Sequence, residues 1–150
     1  MIAENDHMNY SAQNAYARTY AVEFGTPVQA LLMYGLTEIA KPFAGDLFAF
    51  SQQPYLRFHN AAFKPQLLAR YYWLTQDREF VRATESLWRP ELEPIMTNRE
   101  SSSGLLPKEA YCGDINTKVY SLSTDAKRWR AGRDLAAVLE ELGESNAEIV

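Results

Sequence analysis

The sequence predicts an all-α fold, and three observations carry that expectation. Apolar residues recur at the i, i+3, i+4 spacing of helices in several separate stretches. Helix-starting and helix-stopping residues stand at their edges: Thr26 before Pro27, Gly35, Thr37, Asp77 and Gly143. No stretch keeps the apolar/polar alternation of a half-buried strand. At 150 residues and 17.1 kDa the chain fits one domain that can bury a core.

Taken in order, residues 1–10 show no period and read as coil. Ser11 to Glu23 is ambiguous: Ala12, Ala15, Tyr16, Thr19 and Tyr20 allow a helix, but the tyrosine-rich run also suits extended chain. Gly25 is expected to end either form. Thr26 as N-cap and Pro27 at the first helical position then predict a short helix through Val28, Leu31, Leu32 and Tyr34, stopped by Gly35. A second helix starts near Thr37 and runs through Ile39, Ala40, Phe43 and Leu47 to Phe50, bent by Pro42 and Gly45. Gln52 to Asn60 reads as a connection.

The next helix is expected over Ala61–Leu74, with Asn60 as a candidate N-cap and Pro65 in its first turn. Its apolar residues lie on more than one side, as in a widely buried helix. Asp77 and Glu79 open an amphipathic helix that reaches Ile95. Pro90 removes a backbone donor inside it, so a kink is expected between Trp88 and Glu91. Asn98 to Ser103 is a polar turn ending at Gly104. Ser123 or Thr124 caps a last helix, Asp125–Leu142, closed by Gly143.

Gly104 to Asp125 has no regular period, yet it holds Leu105, Leu106, Tyr111, Ile115, Val119, Tyr120 and Leu122. That is too much apolar surface for a solvated linker, so it is expected to pack down as one wall of a site. Short turns at Gly35 and Thr75–Asp77 alternate with long loops at 52–60 and 98–123. Paired helices linked in this way gather the long loops, and any site, on one face.

Composition excludes several classes. A net charge of −4 and a pI near 5.2 argue against nucleic-acid binding, which needs a basic face. No apolar run approaches the ~20 residues of a membrane-spanning helix, and the first ten residues lack the pattern of a signal peptide. A soluble protein is expected, with no compartment assigned. Cys112 is the only cysteine, so no internal disulfide forms, and with only His7 and His59 a zinc site is not expected. Neither a metal nor a cofactor is implied. Cys112 has no nearby histidine in sequence and reads as a small filler.

Gly104–Pro107, Glu109–Ile115, Val119–Leu122 and Trp129–Ala136 together resemble the six-hairpin glycosidases. Phe58–Asn60 leading into Leu67–Phe80, and Val22–Pro27 followed by Ala30–Gly35, are similar to the helical hairpins of these enzymes. The resemblance spans about Tyr10 to Gly143. It implies antiparallel αα-hairpins forming part of an (α/α)6 toroid, with a pocket built by loops at one end. It also implies that the chain is only a portion of such a ring, cut near Asn146. The implied partners are a carbohydrate and either the remainder of the toroid or another copy, bound through exposed apolar helix faces.

Hydrolysis of a glycosidic bond needs one carboxyl group to donate a proton and a second to activate water. The resemblance makes Glu109 and Asp114 the catalytic pair, with Glu23 as a third acid facing the pocket. Tyr55, Tyr111, Tyr120 and Trp129 are the candidate sugar-stacking aromatics, and His59 and Asn60 the candidate hydroxyl ligands. Each has a simpler role: Asp114 as a turn residue after Gly113, Glu23 and Glu109 as solvated loop acids, Asn60 as an N-cap, Trp129 as a plug of the helical core. Two rival functions stay open, a lyase or epimerase on the same toroid and a non-catalytic helical module that binds a glycan or a protein.

Overall fold

A computed structural model describes residues 2–4, 7–9, 21–50, 56–110 and 117–144. It begins with a short antiparallel hairpin, β1 (Ile2–Glu4) against β2 (His7–Asn9), with Ile2 opposite Asn9. Two helices follow, α1 (Ala21–Met33) and α2 (Thr37–Ala49), joined by a tight turn at Tyr34–Leu36. Next come α3 (Arg57–Thr75), α4 (Arg78–Ala83) and α5 (Glu85–Trp88). A 3-10 turn at Arg89–Glu91 leads into α6 (Leu92–Thr97). A second hairpin, β3 (Glu109–Ala110) with β4 (Lys118–Val119), precedes the long α7 (Leu122–Leu142). The chain is therefore mostly helical, as expected, and the expectation of no strand is corrected. Strands of two or three residues are too short to leave a readable alternation.

The core is built around α3, where eleven of 19 residues are buried. Leu67, Leu68, Tyr71 and Tyr72 meet Leu135, Val138 and Leu139 of α7, Val28 and Leu32 of α1, and Leu47 and Phe48 of α2 in one cluster. Pairings along α3 fix the directions of its neighbours. Gly25 of α1 lies at Phe63 and Gln29 bonds Arg70, so α1 runs in the same sense as α3. Lys64 reaches the end of α2 while Lys41, near its start, pairs with Asp77, so α2 runs the opposite way. Helix α7 runs with α3, because Tyr72 bonds Glu141 at one end and His59 meets Lys127 at the other.

Several predicted boundaries shift, each for a physical reason. Gly25 does not end an earlier segment; it sits inside α1, buried. A Cβ there would overlap Cε1 of the Phe63 ring and stand 2.8 Å from its Cζ, so the glycine is a packing notch between α1 and α3. Helix α1 carries Pro27 in its interior, and α3 carries Pro65 in its interior rather than its first turn. Asn60 is not an N-cap: α3 begins before it, and Asn60 is 1% exposed.

The amphipathic segment after Asp77 is broken twice, at Thr84 and at Arg89–Glu91, the second break matching the expected kink. Trp88 bridges the first break by donating its indole N–H to the Val81 carbonyl at 3.0 Å. Two ends agree with the sequence: Asp77 accepts from the Phe80 N–H at 2.9 Å, and Gly143 closes α7 at φ 73°. Helix α7 starts slightly earlier than expected, on Ser121. The predicted cap at Ser145 and Asn146 lies outside the described residues.

Lys64 is a lysine inside this core, 1% exposed. Its ammonium donates to the Phe50 carbonyl at 2.6 Å and the Phe48 carbonyl at 3.4 Å, and pairs with Glu91 Oε1 at 2.6 Å. One cation thus satisfies the carbonyls that end α2 and ties that end to the 3-10 turn. Removing one partner of a buried pair strands the other, at a cost of about 3–5 kcal/mol. The expected result for Lys64→Met is a loss of that size in urea-unfolding free energy, with Lys64→Met/Glu91→Met recovering part of it. An unchanged midpoint in the single variant would contradict this role.

Candidate functional site

The β3–β4 hairpin carries Glu109 to the place where two helices begin. The first turn of α3 presents the Phe58 and His59 backbone N–H groups, and the first turn of α7 presents the Thr124 hydroxyl. Glu109 is 8% exposed. Its Oε2 accepts from the Phe58 N–H at 3.1 Å and its Oε1 from the Thr124 hydroxyl at 3.1 Å, while the His59 N–H also favours its charged form. Helix α3 has no local side-chain cap, so Glu109 supplies from a distance of 51 residues the acceptor that its first turn lacks. Helix α7 has its own cap, the Ser121 hydroxyl accepting from the Thr124 N–H at 3.3 Å.

Beside Glu109 is a cavity of about 280 Å³ lined by Leu56, His59, Glu109, Ala110, Ser121, Ser123 and Thr124. Desolvation raises the Glu109 carboxyl above its ordinary 4.5, outweighing its three hydrogen bonds, and nearby Asp125 adds to the effect. The His59 imidazole is pushed down to about 4 by burial and by the neighbouring Lys127. Lys127 Nζ lies 3.2 Å from His59 Nε2. While Lys127 is charged its ammonium can only donate, so Nε2 accepts and the ring proton sits on Nδ1. Burial lowers Lys127 in turn, against the raising influence of Glu109. Acid, imidazole and amine are thus all biased toward their neutral forms.

Of the sequence candidates, the structure brings Glu109 and His59 together at this cavity. Glu109 is not the solvated loop acid of its simpler reading. Asn60 is buried within α3, and among the described residues neither its amide oxygen nor its nitrogen has a hydrogen-bond partner. Glu23 stands exposed in the first turn of α1, not on a loop, and does not line the cavity. Tyr120 is 44% exposed; its hydroxyl donates to Glu100 at 2.6 Å and Lys108 lies 4.8 Å from its ring centre. Trp129 is no core plug. It is 62% exposed under the Arg133 guanidinium, and lies about 200° around α7 from Lys127 on a helix of ~3.6 residues per turn. Tyr55, Tyr111 and Asp114 lie outside the described residues, as does Cys112.

Lys127 was not legible as a site residue, because it opens a basic run, Lys127–Arg130, that reads as surface charge. Its phase was the available signal: it falls between Thr124 and Ala131, both buried, on the inward face of α7. Among the described residues no group of three or more His, Cys, Asp and Glu side chains is placed to hold a metal ion. Nor is any helix among them long and apolar enough to cross a membrane.

The pH dependence follows from these shifts. His59 has a folded pKa below its unfolded 6.5, so its contribution to stability is present above pH 6.5 and is lost as pH falls toward about 4. Glu109 is raised, so its contribution is present below pH 4.5 and is lost as pH rises through the folded value. An NMR titration of the folded protein is expected to show the His59 ring still neutral at pH 5.5 and titrating near pH 4; a midpoint near 6.5 would refute the buried placement. No protein-family model, no curated protein and no solved structure matches this chain significantly.

Proposed function

We propose that the chain carries the general acid of a glycoside hydrolase, with Glu109 as that acid, on helical hairpins that form part of an (α/α)6 toroid. The observation that carries the reading is a buried carboxyl, biased toward its protonated form, facing a cavity. A carboxyl whose proton affinity is raised by burial is the kind of group that donates a proton to a leaving oxygen. The cavity volume of about 280 Å³ sits near the lower edge of the ~300–1,000 Å³ typical of small-molecule sites, a size suited to one sugar ring. His59 Nδ1–H and the Ser121 and Ser123 hydroxyls supply the kind of donors and acceptors that bind sugar hydroxyls.

Two parallel helices, α3 and α7, separated in the chain by the broken α4–α6 segment, are consistent with inner helices of successive hairpins. Asp114 takes the role of the base that activates water, and a carbohydrate is the substrate. Thr124 lets Glu109 work, because its hydroxyl can turn from donor to acceptor when the carboxyl is protonated. Exposed apolar side chains at the α1–α2 turn and on α7, Tyr34 at 83% and Leu122 at 85%, suit contact with the rest of a toroid or with another copy.

A second reading has one observation in its favour. Both oxygens of Glu109 are used to join the starts of α3 and α7, as in a helical binding module without catalysis. Assays of the full-length protein on a panel of 4-nitrophenyl glycosides separate the two. The catalytic reading expects Glu109→Gln to keep its near-ultraviolet circular dichroism while kcat falls at least about a hundredfold. Wild-type turnover in that variant contradicts it. An inactive wild type, with Glu109→Gln destabilised, assigns the residue to the module.

A further inference from the structure

Six of the large apolar side chains left exposed among the described residues lie at one end of the helices. Met33 closes α1, Tyr34 and Leu36 make the turn, Ile39 is in the first turn of α2, and Trp73 and Leu74 are in the last turn of α3. They are 72, 83, 44, 52, 41 and 48% exposed, respectively. The pairings along α3 bring them to the same end. Gln29 bonds Arg70, and α1 and α3 run in the same sense, so Met33 and Trp73 each stand one turn further on. Lys41 meets Asp77 at 2.6 Å, which sets the start of α2 beside the end of α3. Glu109 and its cavity sit at the opposite end, where α3 begins.

We propose that this end is the interface of a dimer with a second copy of the chain. Taking roughly 200 Å² for each such residue when fully exposed, the six present about 700 Å² of surface. That exceeds the ~300–600 Å² of the largest patch on an ordinary monomer. It approaches the ~800 Å² that each partner gives to a stable interface. The rim carries both signs, with Glu38 and Glu79 against Lys41 and Arg78, all exposed. Such a rim can set acid against base across a two-fold axis, where one patch meets itself. It lacks the basic excess that an anionic membrane surface selects. Further hairpins of a ring would pack along helix flanks, whereas each of these six side chains lies in a turn or within one turn of a helix end. Of the two partners that suit the α1–α2 turn, the second copy is therefore the one for this end. A dimer joined there leaves both Glu109 cavities open at its outer ends.

Sedimentation equilibrium of the full chain across a micromolar concentration series tests this. The expected result is a species of twice the 17.1 kDa of the chain. Tyr34→Glu and Trp73→Glu, both at exposed positions, are expected to keep the far-ultraviolet circular dichroism and to weaken the dimer at least about tenfold, because aromatic anchors carry most of an interface's binding energy. Leu122→Glu, at the opposite end where α7 begins, is expected to leave the dimer unchanged. A monomer at every concentration overturns the proposal, and so does a dimer that Leu122→Glu breaks and Tyr34→Glu does not. A dimer that forms only once residues 145–150 are deleted also overturns it, and assigns the patch to that stretch. A monomer that floats with phosphatidylserine vesicles overturns it in favour of a membrane surface. Failure of the glycoside assay leaves these masses untouched, because the cavity is at the other end.

Discussion

The carboxyl of Glu109 caps the start of α3 and, through the Thr124 hydroxyl, ties it to the first turn of α7. Leu56 at the cap position of α3 offers no side-chain acceptor, and Glu109 accepts from the Phe58 N–H in its place. Thr124, held by the other oxygen, sets where α7 starts relative to α3. Since these two helices share the largest part of the core, their relative height decides whether Leu67 and Tyr71 meet Leu135 and Val138 in register. A local feature of a two-residue strand therefore governs the packing of the two longest helices.

The opposite charge performs the matching task elsewhere. Lys64 sits inside α3 and closes the carbonyl end of α2, with Glu91 balancing its charge. In both cases a helix end is satisfied by a side chain far away in sequence, not by a neighbour. Burying such groups costs desolvation, and their hydrogen bonds must offset it. At Lys64 three acceptors converge on the ammonium. At Glu109 the balance tips the other way, and burial favours the neutral acid despite two helix starts pointing at it. That imbalance is what turns a structural clamp into a candidate proton donor.

The same distinction explains what was legible in the sequence. Helix ends with local caps were readable: Asp77 before α4, Gly143 after α7, and the turn at Gly35. The start of α3 was misplaced by four residues because its acceptor comes from Glu109, 51 residues downstream. Gly25 looked like a stop because its use is a contact with Phe63, which only the fold reveals. Glu109 and His59 were selected from a resemblance and from loop placement, and both reach the cavity. Lys127 was hidden in a run of charge, and Trp129, chosen for its aromatic ring, points away from that cavity.

The central claim is that burial, not charge, sets the state of Glu109. A carbon-detected NMR titration of its side-chain carboxyl in the folded protein measures this directly. The account predicts a midpoint above the ordinary 4.5, with the fold intact throughout. A midpoint at or below 4.5, as for a carboxylate stabilised by the helix starts it caps, would contradict it.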